Sequence, residues 1–141
     1  MPIYVNLPVA DLDASKAFYE GLGFSINPQF TDENAAAVVI EEGITVMLLR
    51  RDFFTTFTKR PIATDGVEVI TSIEVDSREK ADELAEKAFA TGGAETMEPQ
   101  DMGWMYSRAF ADPDGHHWEL MYADEAAMAE AFAAEGTAAG S

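Results

Sequence analysis

The chain has 141 residues, no cysteine, a formal net charge of −17, and 48% hydrophobic with 11% aromatic content. This length and composition describe one packed domain and exclude disulfides, thiolate metal sites, cysteine nucleophiles and a disordered chain. The acidity repels phosphate, so neither nucleic acid nor an anionic membrane is an expected partner, and no apolar run reaches the roughly 18 residues of a span.

The charge is uneven. Residues 1–66 hold 9 acids and 5 bases, whereas residues 67–141 hold 17 acids and 4 bases. This is either a solubility device or a field that attracts a cationic ligand. The chain opens directly on a strand-like pattern, with no signal-peptide pattern, and the expected location is the cytoplasm.

Ile3, Val5, Leu7 and Val9 alternate with Tyr4, Asn6 and Pro8, the signature of a strand with one apolar face. Asp11 or Asp13 can cap the next helix, whose face is Ser15, Phe18, Tyr19 and Leu22. Gly21 and Gly23 end it, and residues 24–30, 36–40 and 44–50 read as three strands. Residues 51–66 break the pattern. Phe53, Phe54 and Phe57 in this connection are either a plug on the core or a flap over a cavity.

The pattern then restarts. Residues 67–75 alternate as a strand, and Asp76 or Ser77 can cap a helix with the face Ala81, Leu84, Ala85 and Ala88, ended by Gly92-Gly93. Residues 94–98, 104–111 and 117–122 give three more strands. The last two flank Asp112-Pro113-Asp114-Gly115, a turn in which proline presets φ and glycine accepts positive φ. An Ala-rich helix over 125–135 and a frayed tail over 136–141 follow.

The restart is a countable repeat. Val9 and Val75, Ser15 and Ala81, Phe18 and Leu84, Tyr19 and Ala85, and Leu22 and Ala88 are each 66 apart. The offset grows to 70 between Gly23 and Gly93, and to 72 between Gly43 and Gly115. The expected organisation is α+β: a βαβββ module over about 2–50, a connection over 51–66, a second module over about 67–123, and a C-terminal helix and tail over 124–141.

This tandem, with VADLDASKAFYEGLGF at the front and FADPDGHHWELMY at the end, resembles the vicinal oxygen chelate superfamily. That group includes glyoxalase I, bleomycin-resistance proteins, fosfomycin-resistance enzymes and extradiol dioxygenases. The resemblance covers about residues 3–122 and implies modules whose mixed sheets curl into a cup, with helices outside and a ligand inside. Two modules, from one chain or two, close a cup. It also implies four metal-ligand positions, on the first and last strand of each module, falling here on Tyr4, Met47, Ile70 and Glu119. The repeat pairs the same residues, with Tyr4 and Ile70 66 apart and Met47 and Glu119 72 apart. Only Glu119 is a good ligand for a divalent metal, so neither a metal nor another cofactor is expected.

Residue parity places Tyr4, Asn6, Met47, Ile70, Ser72, Glu119 and Met121 on the cup side. For the strand over 104–111 the register is open between Met105, Ser107 and Ala109 facing the cup and Trp104, Tyr106, Arg108 and Phe110 facing it. The expected ligand-binding set is Tyr4, Asn6, Met47, Ile70, Ser72, Ser107, Glu119 and Met121. Glu119 is either a residual carboxylate bonded to Tyr4 or Asn6, or an anchor for a ligand amine, guanidinium or hydroxyl. His117 is a wet rim histidine, a remnant of a metal pair with Glu119, or its acid–base partner. The expected function is metal-independent binding or sequestration of a small molecule by a homodimer. The alternative is a glyoxalase-like lyase or dioxygenase with Glu119 and His117 as its catalytic candidates.

Overall fold

A computed structural model describes residues 1–140, with side chains described through residue 133. It contains eight strands and four α-helices. The first module is β1 (Ile3–Val9), α1 (Leu12–Gly21), β2 (Ser25–Asn27), β3 (Ala35–Glu41) and β4 (Ile44–Arg50). The connection carries a single-turn helix, α2 (Arg51–Phe54), and a 3₁₀ turn, Thr55–Phe57. The second module is β5 (Ile70–Glu74), α3 (Arg78–Ala90), β6 (Ala94–Asp101), β7 (Met105–Ala111) and β8 (His117–Ala123), followed by α4 (Glu125–Gly140).

The two modules repeat one topology. Their sheets run β1-β4-β3-β2 and β5-β8-β7-β6, with the first strand of each parallel to the last. The fold is the expected α+β tandem, built as two separate four-stranded mixed sheets, neither closed into a barrel.

Several boundaries differ from the sequence reading for local reasons. β2 stops at Asn27 because Pro28 brings no N–H to a ladder and the Asn27 side chain accepts from the Gln29 N–H at 3.0 Å, opening a 3₁₀ turn. β5 covers only five of the nine residues expected, and Val67 and Val69 stay exposed. Asp11 caps α1, and Ser77, not Asp76, caps α3 by accepting from Lys80 N–H at 3.0 Å. α4 runs to Gly140, across residues read from composition as tail.

The glycine pair after α3 divides two tasks. Gly92, with φ +103°, matches Gly23 at +102°, so the turn equivalence is Gly23 with Gly92 rather than Gly93. This follows from α3 being 13 residues long against 10 for α1. Gly93 is needed for space: a Cβ there would lie 2.8 Å from the Ala88 carbonyl oxygen and 2.9 Å from that of Ala111.

One core serves both modules. Phe18 and Tyr19 of α1 meet Phe110 and Trp118 of the second sheet, with Val9, Val38, Val46, Leu48, Leu84 and Leu120 around them. Phe110 and Trp118 stack at 6.3 Å. Burying such side chains contributes roughly 1.5–3 kcal/mol each. α3 is tied to the same sheet by Arg108, which pairs with Asp82 at 2.7 Å and Glu86 at 3.2 Å while Tyr106 donates to Asp82. The open register of β7 is thereby settled: Tyr106, Arg108 and Phe110 face the helices.

The DPDG turn stitches the modules together. Asp112 is 4% exposed and accepts from the Tyr19 hydroxyl at 2.5 Å and from the N–H groups of Asp114 and His116 at 3.0 and 2.9 Å. The Trp118 indole donates to the Tyr19 oxygen at 3.0 Å. Asp114 accepts from Ala10 N–H at 2.8 Å and the Ser15 hydroxyl at 3.1 Å, and the His116 Nε2–H donates to the Pro8 carbonyl at 2.7 Å. Burial pushes the Asp112 carboxyl above its ordinary range, an effect offset in part by the Tyr19 bond.

Burial, and then the neighbouring Asp112 charge, push the Tyr19 phenol far above its ordinary value. Only the unfolded chain can ionise this phenol near pH 10, so its contribution is intact below about pH 10 and is lost as pH rises further. Denaturant midpoints should therefore fall above about pH 10. Tyr19→Phe should lose about 1–3 kcal/mol at pH 7 and show a shallower alkaline decline. An alkaline decline as steep in Tyr19→Phe as in the parent would disprove the assignment.

Candidate functional site

Each sheet turns one face to the shared core and the other away from it. On the first sheet Val5, Val46 and Leu48 pack inward. The neighbouring row Asn6, Met47 and Ala37 therefore lies on the opposite face, with Tyr4 and Leu49 in the same alternation. On the second sheet Trp118 and Leu120 are 1% exposed and turn inward. The row Ser72, Glu119 and Ala109 then lies outward, beside Ser107 and Met121.

Tyr4, Asn6 and Met47 line a hollow of about 360 Å³ together with Phe30, Ala35, Leu49, Phe53 and Phe57. The connection is thus a flap: Phe53 and Phe57 lie over the hollow and touch edge to face at 5.1 Å. Phe54 turns elsewhere, into a cleft of about 280 Å³ at the seam between modules, beside Pro8, Thr71, His116 and His117. Leu49 shares strand parity with Met47 and was readable from the sequence, whereas Ala35 lies outside the strand read over 36–40 and enters as the first residue of β3. Phe30 was hidden by its assignment to a strand, since it comes to the hollow from the 3₁₀ turn Pro28–Phe30.

The second group of candidate residues is on the other sheet. Glu119 accepts a hydrogen bond from Ser72 Oγ at 3.0 Å, so its partner is the adjacent strand rather than Tyr4 or Asn6. Ile70 is 58% exposed and pairs with His117 across β5 and β8. Ser107 is buried beside Met121, which is half-buried. Among the described residues no hydrogen bond joins His117 to Glu119. Within one chain the structure therefore groups Tyr4, Asn6 and Met47 in one hollow and Ser72, Glu119, Ser107 and Met121 on a second face.

The four ligand-equivalent residues do not fit a divalent metal. Met47 and Ile70 offer no hard donor and a neutral tyrosine offers a poor one, whereas Zn²⁺ takes about three or four protein ligands. Among the described residues no three His, Asp or Glu side chains gather into a metal-binding group. No helix among them is long and apolar enough to cross a membrane.

Comparison with known proteins agrees with this architecture. The hypothetical protein SA1046 from S. aureus superposes with a TM-score of 0.77 at 32% identity, over 86% of this chain and 93% of that one. A glyoxalase-related enzyme from Fulvimarina pelagi gives 0.75 at 22% identity, over 86% and 87% of the two chains. A lactoylglutathione lyase from Agrobacterium tumefaciens gives 0.63 at 18% identity over 86% and 92%, a likeness of fold alone. No curated protein matches the sequence. The family model of the Glyoxalase/Bleomycin resistance protein/Dioxygenase superfamily matches residues 3–120, nearly the whole of the two-module body, and the chain belongs to that superfamily.

Proposed function

We propose that this protein binds or sequesters a small molecule without a metal, as a homodimer whose cups form between chains. The observation that carries the reading is the donor set. Of Tyr4, Met47, Ile70 and Glu119, one residue is a carboxylate and two are apolar, which removes the ligands a metal mechanism needs while leaving a shaped, mostly apolar hollow. The hollow's size lies within the range of small-molecule sites, and its polar wall groups, the Asn6 amide and the Tyr4 hydroxyl, suit orientation more than chemistry.

The dimer is supported by what a single chain leaves uncovered. Tyr4, Phe57, Ile70 and Met97 are 62, 64, 58 and 54% exposed on the outward faces and flap of the two modules. Apolar faces of this kind mark interaction or ligand surfaces. With the first-module face of one chain set against the second-module face of its partner, Tyr4 and Met47 would lie opposite Glu119, and a half-open hollow would become an enclosed cup. Phe132 and Met128 on α4 offer a second contact surface.

A lyase or dioxygenase reading would need Glu119 as its acid, base or sole metal carboxylate. Its hydrogen bond to Ser72 and the absence of any bond to His117 among the described residues favour a binding role.

Elemental analysis of the purified protein should find far less than one divalent transition metal per chain. About one Zn, Ni, Mn or Fe per chain, lost together with an activity in Glu119→Gln, would overturn the reading.

Light scattering at micromolar concentration should give twice the chain mass of 15.4 kDa. A mass of 15.4 kDa would reject the dimer. Glu119→Ala should unfold within about 1 kcal/mol of the parent, because this half-buried side chain lies outside the shared core. A variant that fails to fold would place Glu119 in a structural role.

A further inference from the structure

The wall of the first-sheet hollow has an unusual chemistry. Tyr4, Phe30, Phe53 and Phe57 all line it, with Met47 and the polar Asn6, and among the described residues no Lys, Arg, Asp or Glu lines it. Tyr4, Phe30 and Phe57 are 62, 62 and 64% exposed, so their ring surfaces are open to an occupant. Phe53 and Phe57 stand at 85° to one another, presenting faces in two directions.

Two electrostatic terms act on whatever enters. Ring faces carry the negative end of the aromatic quadrupole and attract a cation held over them. The net charge of −17 raises the local concentration of cations and lowers that of anions. The lining then narrows the kind of cation. A primary ammonium brings three N–H donors, and the wall offers only the Asn6 side chain and the Tyr4 hydroxyl as side-chain acceptors, so a donor held over the rings would lose water without gaining an acceptor. A tertiary or quaternary ammonium brings one donor or none and carries its charge under a methyl-covered surface that packs on rings.

We infer that the hollow is an aromatic cage for the tertiary or quaternary ammonium group of an otherwise apolar ligand. This rests on the small-molecule reading above and names the ligand's chemical class. The ring faces discriminate by charge and the methionine and leucine floor accepts the apolar remainder.

The test compares phenyltrimethylammonium with tert-butylbenzene, which has the same shape without the charge. Binding is followed by NMR through the ring and methyl resonances of Phe53, Phe57 and Met47. The cation should bind about 3- to 30-fold more tightly than the neutral probe. Phe57→Leu and Tyr4→Leu, at positions exposed enough to leave the fold intact, should remove most of that preference while changing affinity for tert-butylbenzene by less. Equal affinity for the two probes, or tighter binding of the neutral one, would overturn the cation inference and leave the apolar binding site standing. If neither probe moves these resonances, the cage and the ligand reading of this hollow both fall.

Discussion

A buried carboxylate holds the two modules in one body. Asp112 can stay buried only while its lone pairs are occupied, because an unpaired charge in the interior costs several kcal/mol. Its donors come from both modules: the Tyr19 hydroxyl from α1, and two backbone N–H groups from its own turn. Asp114 extends the join to Ala10 N–H and Ser15 at the start of α1. The start of the first helix is therefore held by the turn of the second module, which also orients β1 relative to β5. The position of the aromatic hollow with respect to the Glu119 face follows from that seam.

The same strands supply the core and the candidate site by alternation. Each inward residue of the central strands, such as Val46, Leu48, Trp118 and Leu120, commits its neighbours to the other face. Met47 and Glu119 sit at equivalent places in the two modules and share the same cross-strand geometry: Asn6, Met47 and Ala37 on one sheet, and Ser72, Glu119 and Ala109 on the other. The modules share a common scaffold, and their outward rows differ at its centre, a methionine on one sheet and a hydrogen-bonded carboxylate on the other.

Much of this was legible in the sequence because period-two alternation and a countable repeat are long signals. The faces of β1, β4 and β8, the helix faces of α1 and α3, and the tandem topology all follow from them. The features that were not legible depend on contacts between distant residues or on single backbone decisions. The DPDG stretch reads as a hairpin turn, and nothing local announces that its carboxylates reach Tyr19 and Ser15, about a hundred residues away in the chain. The choice of Ser77 over Asp76 as cap rests on which side chain reaches Lys80 N–H, and that of Gly92 over Gly93 as the left-handed residue on one φ angle. The Phe53–Phe57 stretch lacks a periodic pattern because it is two short helical turns, so the side each phenylalanine takes emerges only in three dimensions. The register of β7 was open because both of its faces carry residues able to pack, and the ion pairs of Arg108 with α3 decided it.

The seam also has a direction. At the offsets of the repeat, Tyr19 corresponds to Ala85, Ser15 to Ala81, Asp112 to Ile40, Asp114 to Glu42 and Trp118 to Val46. The second turn grips the first helix, and among the described residues no hydrogen bond joins the first turn to the second helix. A chain of two first modules would have Ile40 in place of the buried Asp112 acceptor, and a chain of two second modules would lack the phenol and hydroxyl that donate to the turn. The halves of this pseudo-symmetric body are complementary parts, so a duplication of either half would remove the link that joins them even where every strand and helix still formed.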